Sequence, residues 1–272
     1  MEPYTVRVVY IVPTRAESWD EAKPRATDLL EDLQWFFADE MNRLGYGPKT
    51  FKIARDRADE LIFHRIPSIR PKEEFQNRKD NGDQLFVDYC KEASDVFGLR
   101  TVNDIVIYFF ESYSILNGVV SGGTRGGRAA KKRGSGGEAF ISSLNLKTAS
   151  REWITSDIRY DGQIRDLQGR PKWDKRVSDR LGDLSGGAYG ITAHEFGHCL
   201  GAQHDRSDDK KLLMDSGYRF MRGTFRPDLT ATVYPKAARR CEVSIPTAEA
   251  LDRSGFFDFR ELKQRSAVWQ RT

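Results

Sequence analysis

Three of the chain's four histidines, His194, His198 and His204, fall within the single run HEFGHCLGAQH. Imidazole nitrogen is a common zinc ligand, and so dense a cluster of so scarce a residue points to a shared metal. On a helix, positions four apart share a face, so His194 and His198 can grip one ion. Gly201 permits a sharp change of chain direction after that helix, which swings His204 round as a third ligand. Three imidazoles with a fourth position left open make a catalytic zinc arrangement, whereas structural zinc is closed by four protein ligands. Glu195 points about 100° round the helix from His194, clear of the metal yet beside it. A carboxylate there can take a proton from a water polarised by the ion and pass it to a leaving amine, which is the chemistry of peptide-bond hydrolysis.

The run from His194 to Asp205, HEFGHCLGAQHD, resembles the extended zinc signature HExxHxxGxxHD of the metzincin metallopeptidases at every fixed position. Asp205 after the third histidine is similar to the adamalysin branch. Met214 in LLMDSG stands where metzincins carry a methionine turn beneath the zinc, at a spacing closer to the matrixins. The resemblance implies a zinc metalloendopeptidase with one catalytic Zn2+, bound by His194, His198 and His204. In it Glu195 is general base and then acid, Met214 and Gly201 support the site, and Asp205 orients it. Astacins and serralysins place a tyrosine two residues after the methionine; here Ser216 holds that position, and Tyr218 becomes the candidate oxyanion or substrate contact. A structural Ca2+ stays open, since Asp205, Asp208 and Asp209 lack EF-hand spacing. The rival reading keeps the zinc without the chemistry, as a catalytically silent interaction module of zincin fold.

These residues need elements to hold them. Val6 to Val12 (VRVVYIV) is a β-branched run suited to a strand buried on both faces, closed by Pro13. From about Arg25 to Leu44, Leu29, Leu30, Leu33, Phe37, Met41 and Leu44 recur at helical spacing before Gly45. Thr50 to Ile66 reads as two short strands around a charged turn. Phe86, Tyr89, Cys90, Ala93 and Phe97 form a second helical stripe, Asp104 to Phe110 a buried strand, and Ala139 to Leu146 a more polar edge strand. The zinc-bearing helix is expected from near Gly186 to about Leu200. Beyond Met214 the pattern loosens into loops, with short helices at Thr247 to Leu251 and Phe259 to Val268. The order predicts an α/β (α+β) fold of zincin type, with a mixed, mostly parallel sheet, an antiparallel edge strand, an active-site helix and an irregular C-terminal subdomain. One catalytic domain spans 1–272, divided into 1–204 and 205–272. Its substrate is a protein or peptide, laid extended along the edge strand.

The whole chain carries a net charge of +4, from 44 Lys plus Arg against 40 Asp plus Glu. The Gly-rich stretch Gly122 to Gly137 holds Arg125, Arg128, Lys131, Lys132 and Arg133 and no acid, so those five cations leave the remainder at −1. That stretch is open to two readings, a solvated loop or a contact surface for acidic substrates or polyanions. It contains no aromatic residue to stack on a base, which argues against nucleic acid. No apolar run approaches the ~20 residues of a membrane span. VRVVYIV near Met1 lacks the basic flank and cleavage pattern of a signal peptide, although the resemblance favours an exported enzyme. Cys90, Cys199 and Cys241 give no disulfide framework. Cys199 is expected to be a buried thiol, a Cys199–Cys241 bridge stays open, and His64 is expected to pack rather than bind metal.

Overall fold

The computed structural model describes residues 4–76, 84–99, 103–111, 113–116, 119–121, 124, 126–130, 136–156, 181–205, 211–227 and 240–263. Its strands are β1 (Thr5–Thr14), β2 (Lys52–Ile53), β3 (Phe63–Pro71), β4 (Asp104–Phe110), β5 (Ser114–Leu116), β6 (Val119–Ser121), β7 (Gly126–Ala129) and β8 (Gly137–Ser142). The helices are α1 (Ala22–Arg43), α2 (Lys72–Gln76), α3 (Gln84–Phe97), α4 (Ser143–Thr148), α5 (Arg151–Ile154), α6 (Leu181–Cys199), α7 (Met221–Phe225) and α8 (Ile245–Asp252).

The main sheet runs β2-β1-β4-β8-β7, with β3 also paired to β1. β1, β2, β3, β4 and β8 are parallel, and only β7 is antiparallel. The mixed α/β architecture with an antiparallel edge is therefore present. β1 is the buried central strand that its β-branched run predicts. α1 covers one face through Leu29, Leu30, Leu33, Phe37 and Met41, and ends at Gly45 with φ +88. α3 covers the other, where Ala93 and Cys90 pack against Val106, Tyr108 and Phe140; Phe86 and Tyr89 lie outside the described side chains.

Several expectations need correction. Ala139 to Leu146 is not the edge strand. Its first part belongs to β8, which is interior and parallel to β4. After it the chain turns into α4, because the Ser142 hydroxyl accepts the Leu144 N–H at 3.3 Å and caps a helix there. The edge is β7, inside the basic Gly-rich stretch itself. Within it Arg128 is ion-paired to Glu138 across the strands and lies over the Phe140 ring at 5.5 Å; Arg125, Lys131, Lys132 and Arg133 fall outside the described residues. α6 starts at Leu181, earlier than the motif alone suggested. After Met214 the chain is not loop alone, since a 3-10 turn at Gly217–Phe220 leads into α7. Phe259 to Lys263 is not helical, and Phe259 bridges back to Thr50. Among the described residues no helix is long and apolar enough to cross a membrane.

Candidate active site

α6 is a buried helix, and its neighbours dictate its composition. Gly182, Gly186 and Gly190 form a seam at one-turn spacing, where a Cβ would lie 2.4 Å from the Arg222 guanidinium carbon, 2.6 Å from the Arg222 nitrogen and 1.8 Å from the Tyr218 carbonyl oxygen. The absence of side chains there lets the segment after Met214 lie directly on the helix. The flank beside this seam is held by a charged group. Tyr189 donates its hydroxyl to Asp32 of α1 at 2.9 Å, and Arg151 reaches the same carboxylate at 2.9 Å. Near the C-terminal end, Phe196 packs on Phe51 and Phe37 with ring centroids 4.6 and 5.5 Å apart.

From that helix His194 and His198 project together, and the turn at Gly201, with φ +87, returns the chain so that His204 meets them. The three Nε2 atoms lie 3.2 Å (His194 to His198), 3.1 Å (His198 to His204) and 3.3 Å (His194 to His204) apart. A tetrahedral zinc with bonds of about 2.0–2.1 Å spaces its nitrogens about 3.3–3.4 Å apart, so the triangle fits the ion. The outer nitrogens decide the tautomers. His194 Nδ1 lies 2.7 Å from the Leu213 carbonyl and His198 Nδ1 lies 3.0 Å from the Ala202 carbonyl. A carbonyl can only accept, so each Nδ1 carries the proton and each Nε2 presents a bare lone pair to the centre. Burial holds His194 down to about 4 and lowers His198 as well, which keeps both rings neutral. Lone pairs facing one another at this distance repel unless a cation sits between them, which is the strongest local argument for a metal. Among the described residues this is the one His/Cys/Asp/Glu group able to hold a metal ion.

Glu195 faces β7 and does not join the triad. Burial raises its carboxyl above the ordinary carboxylate range, and the Gly127 N–H, which donates to it, pulls it partly back. Met214 is buried beneath the helix, and a Cβ on Gly197 would come within 2.6 Å of its sulfur. Its neighbour Leu213 supplies the carbonyl for His194 and donates its own N–H to the Glu242 carbonyl at 2.8 Å. Asp205 joins the His204 loop to the methionine turn, its N–H donating to the Met214 carbonyl at 3.1 Å. A cavity of about 300 Å³ lies between this loop and α8, lined by Gln203, His204, Asp205, Thr247, Ala250 and Arg253 among others. The Tyr218 ring stands 5.3 Å from that of His194, and Arg219 donates to its hydroxyl at 3.3 Å.

The three histidines, Glu195, Met214, Asp205 and Tyr218 are legible in the sequence, whereas Tyr189, Asp32 and Arg222, which hold the helix, and the Leu213 and Ala202 carbonyls, which aim the rings, are not. The Gly126–Gly127 pair is visible but reads only as part of a basic stretch. Cys199 is a buried free thiol, and Cys241 is also free, so no bridge joins them. His64 packs against the Phe97 ring at 4.3 Å, away from the triad. Asp208 and Asp209 lie outside the described residues.

No family model matches the chain, and no curated protein matches it in sequence. In fold it is similar to OgpA from Akkermansia muciniphila, with TM-score 0.54 and 19% identity over 97% of this chain. The chain spans 64% of that protein's length. A second structure, catalytically inactive OgpA in complex with an O-glycopeptide (glycodrosocin) substrate, aligns at 18% identity over 94% of this chain and 61% of the other, again with TM-score 0.54. Archaemetzincin from Methanopyrus kandleri aligns more loosely, at TM-score 0.37 and 12% identity over 91% of this chain and 94% of that one.

Proposed function

We propose that this chain is a zinc-dependent endopeptidase of metzincin type, working as one catalytic domain. The observation that carries the reading is the convergence of three histidine Nε2 atoms, two of them with their protons committed outward, beside a half-buried carboxylate that is not a ligand. His194, His198 and His204 would hold the zinc. When bound, the ion supplies Lewis acidity, lowering the pKa of coordinated water to about 7 and polarising a carbonyl.

The chain's own residues do the rest. Glu195, its affinity for protons raised by burial, is suited to take a proton at its carboxylate and return it to the leaving amine. The Leu213 carbonyl fixes the ring of His194, which sets the direction of its lone pair, and Met214 fills the space beneath Gly197 of the same helix. Asp205 braces the His204 loop against the methionine turn. Tyr218, beside His194, is the side chain we assign to the substrate carbonyl. β7 offers an extended peptide a sheet edge directly over the helix. The fold shared with OgpA, a protein captured with an O-glycopeptide, supports testing glycosylated as well as plain peptides.

The test is a peptide library containing both kinds, digested with and without a chelator and read by mass spectrometry. Cleavage that the chelator stops and zinc restores is expected. Glu195→Gln should keep its zinc and lose at least ~100-fold in cleavage rate. Zinc-loaded protein that cuts nothing in the library would leave a silent metal-binding module, and undiminished cleavage by the variant would remove Glu195 from the mechanism.

A further inference from the structure

β7 and α6 touch main chain to main chain at the residue that carries the candidate base. A Cβ built on Gly127 would lie 2.0 Å from the Glu195 carbonyl oxygen and 3.1 Å from its Cα, a distance no side chain survives. The same contact brings the Gly127 N–H to the Glu195 carboxylate as a donor. Gly126, with φ +130, covers the other side of the group, and a Cβ there would stand 3.7 Å from Glu195 Oε2. One turn further along α6 the strand is pinned again. The Arg128 N–H donates to the Cys199 thiol, and that thiol donates to the Glu195 carbonyl at 3.3 Å.

We propose that Gly127 is a positioning residue for the base, its main-chain N–H fixing the direction in which the Glu195 carboxylate faces, with glycine required because only a bare Cα lets the strand come so close. This rests on the reading of Glu195 as the base. A glutamate has three side-chain torsions, and proton transfer demands hydrogen-bond geometry. A charge-assisted bond to a rigid strand removes that freedom before substrate arrives. It commits part of the carboxylate's accepting capacity and leaves the rest for the proton in transit. The Gly-rich character of the basic stretch then serves the chemistry directly, whatever its cations contact.

The decisive change is one atom. Glycolate replacing Gly127 turns the N–H into an ester oxygen and leaves the shape intact. Zinc content should match wild type, kcat should fall by roughly tenfold or more, and KM should stay within about twofold. The same exchange at Ala54, using lactate, removes a main-chain donor to the Val6 carbonyl away from the site and should leave kcat unchanged. An unaltered kcat at Gly127, or an equal loss at both positions, overturns the proposal. A second measurement needs no turnover. In zinc-loaded protein the Gly127 amide should resist hydrogen exchange and lose that protection in Glu195→Ala; identical rates in the two proteins overturn the proposal equally. Failure of the function itself would appear separately, as a wild-type chain that cleaves nothing in the library.

Discussion

His194 and His198 are aimed by carbonyl oxygens, while His204, exposed and carried on a turn, is held by its neighbours. The third ligand completes the site, so His204→Ala should weaken zinc binding by at least ~100-fold in a competition titration, and stoichiometric zinc in that variant would contradict the assignment. Gly197 tests the support from below. Its missing Cβ is the space that the Met214 sulfur fills, so Gly197→Ala should cost about 1–3 kcal/mol in urea unfolding by overpacking. A wild-type midpoint would show that the methionine turn moves freely. At this scale the sequence was most informative, because metal chemistry restricts both residue type and spacing: His194, Glu195, His198, Gly201 and His204 could be named with their roles. Tyr218 and Asp205 were named by resemblance, and their contacts show what each is close enough to do.

The helix bearing these residues belongs to the core before it belongs to the site. Tyr189 reaches Asp32 across from α1, a buried hydroxyl on a buried carboxylate. Tyr189→Phe should therefore lose about 1.5–3 kcal/mol of stability, the worth of a hydrogen bond to a charged group, while retaining its zinc. A change below about 0.5 kcal/mol would place the burden on Arg151 instead. Elements with strong periodicity were readable, as β1, α1 and β4 show, since burial on one or both faces writes itself into residue order. β7 was not. GGRA has no apolar alternation, and what makes it a strand is its neighbour β8 and the helix beneath, neither of which is local. The α4 helix was misread for the opposite reason, since its apolar residues continue the texture of β8 and only the Ser142 cap separates the two.

At the scale of the whole molecule, His64 contributes a pH response of definite sign. It is half-buried near Arg7, and desolvation first and that cation second lower its pKa below the ordinary 6.5. The folded state thus prefers the neutral ring more strongly than the unfolded chain does. The associated stability is intact above about pH 6.5 and is lost as pH falls through that value toward the depressed one. His64→Gln should flatten the slope of unfolding free energy below about pH 6.5 relative to wild type, with parallel slopes ruling the effect out. The molecule is also closed by contacts that span most of its length. The Val243 N–H donates to Glu40 of α1 at 2.7 Å, Thr50 and Phe259 exchange main-chain bonds at 2.9 and 3.1 Å, and Leu213 is anchored to Glu242. No local pattern announces such pairings, and the C-terminal region was accordingly the least legible. They also impose an order on biosynthesis. A growing chain presents HEFGH before it presents residues 242–243, so the acceptor for His194 has no anchor until synthesis has run well past the ligands themselves. A chain cut short between His204 and Glu242 carries the ligands without the frame that makes them a site.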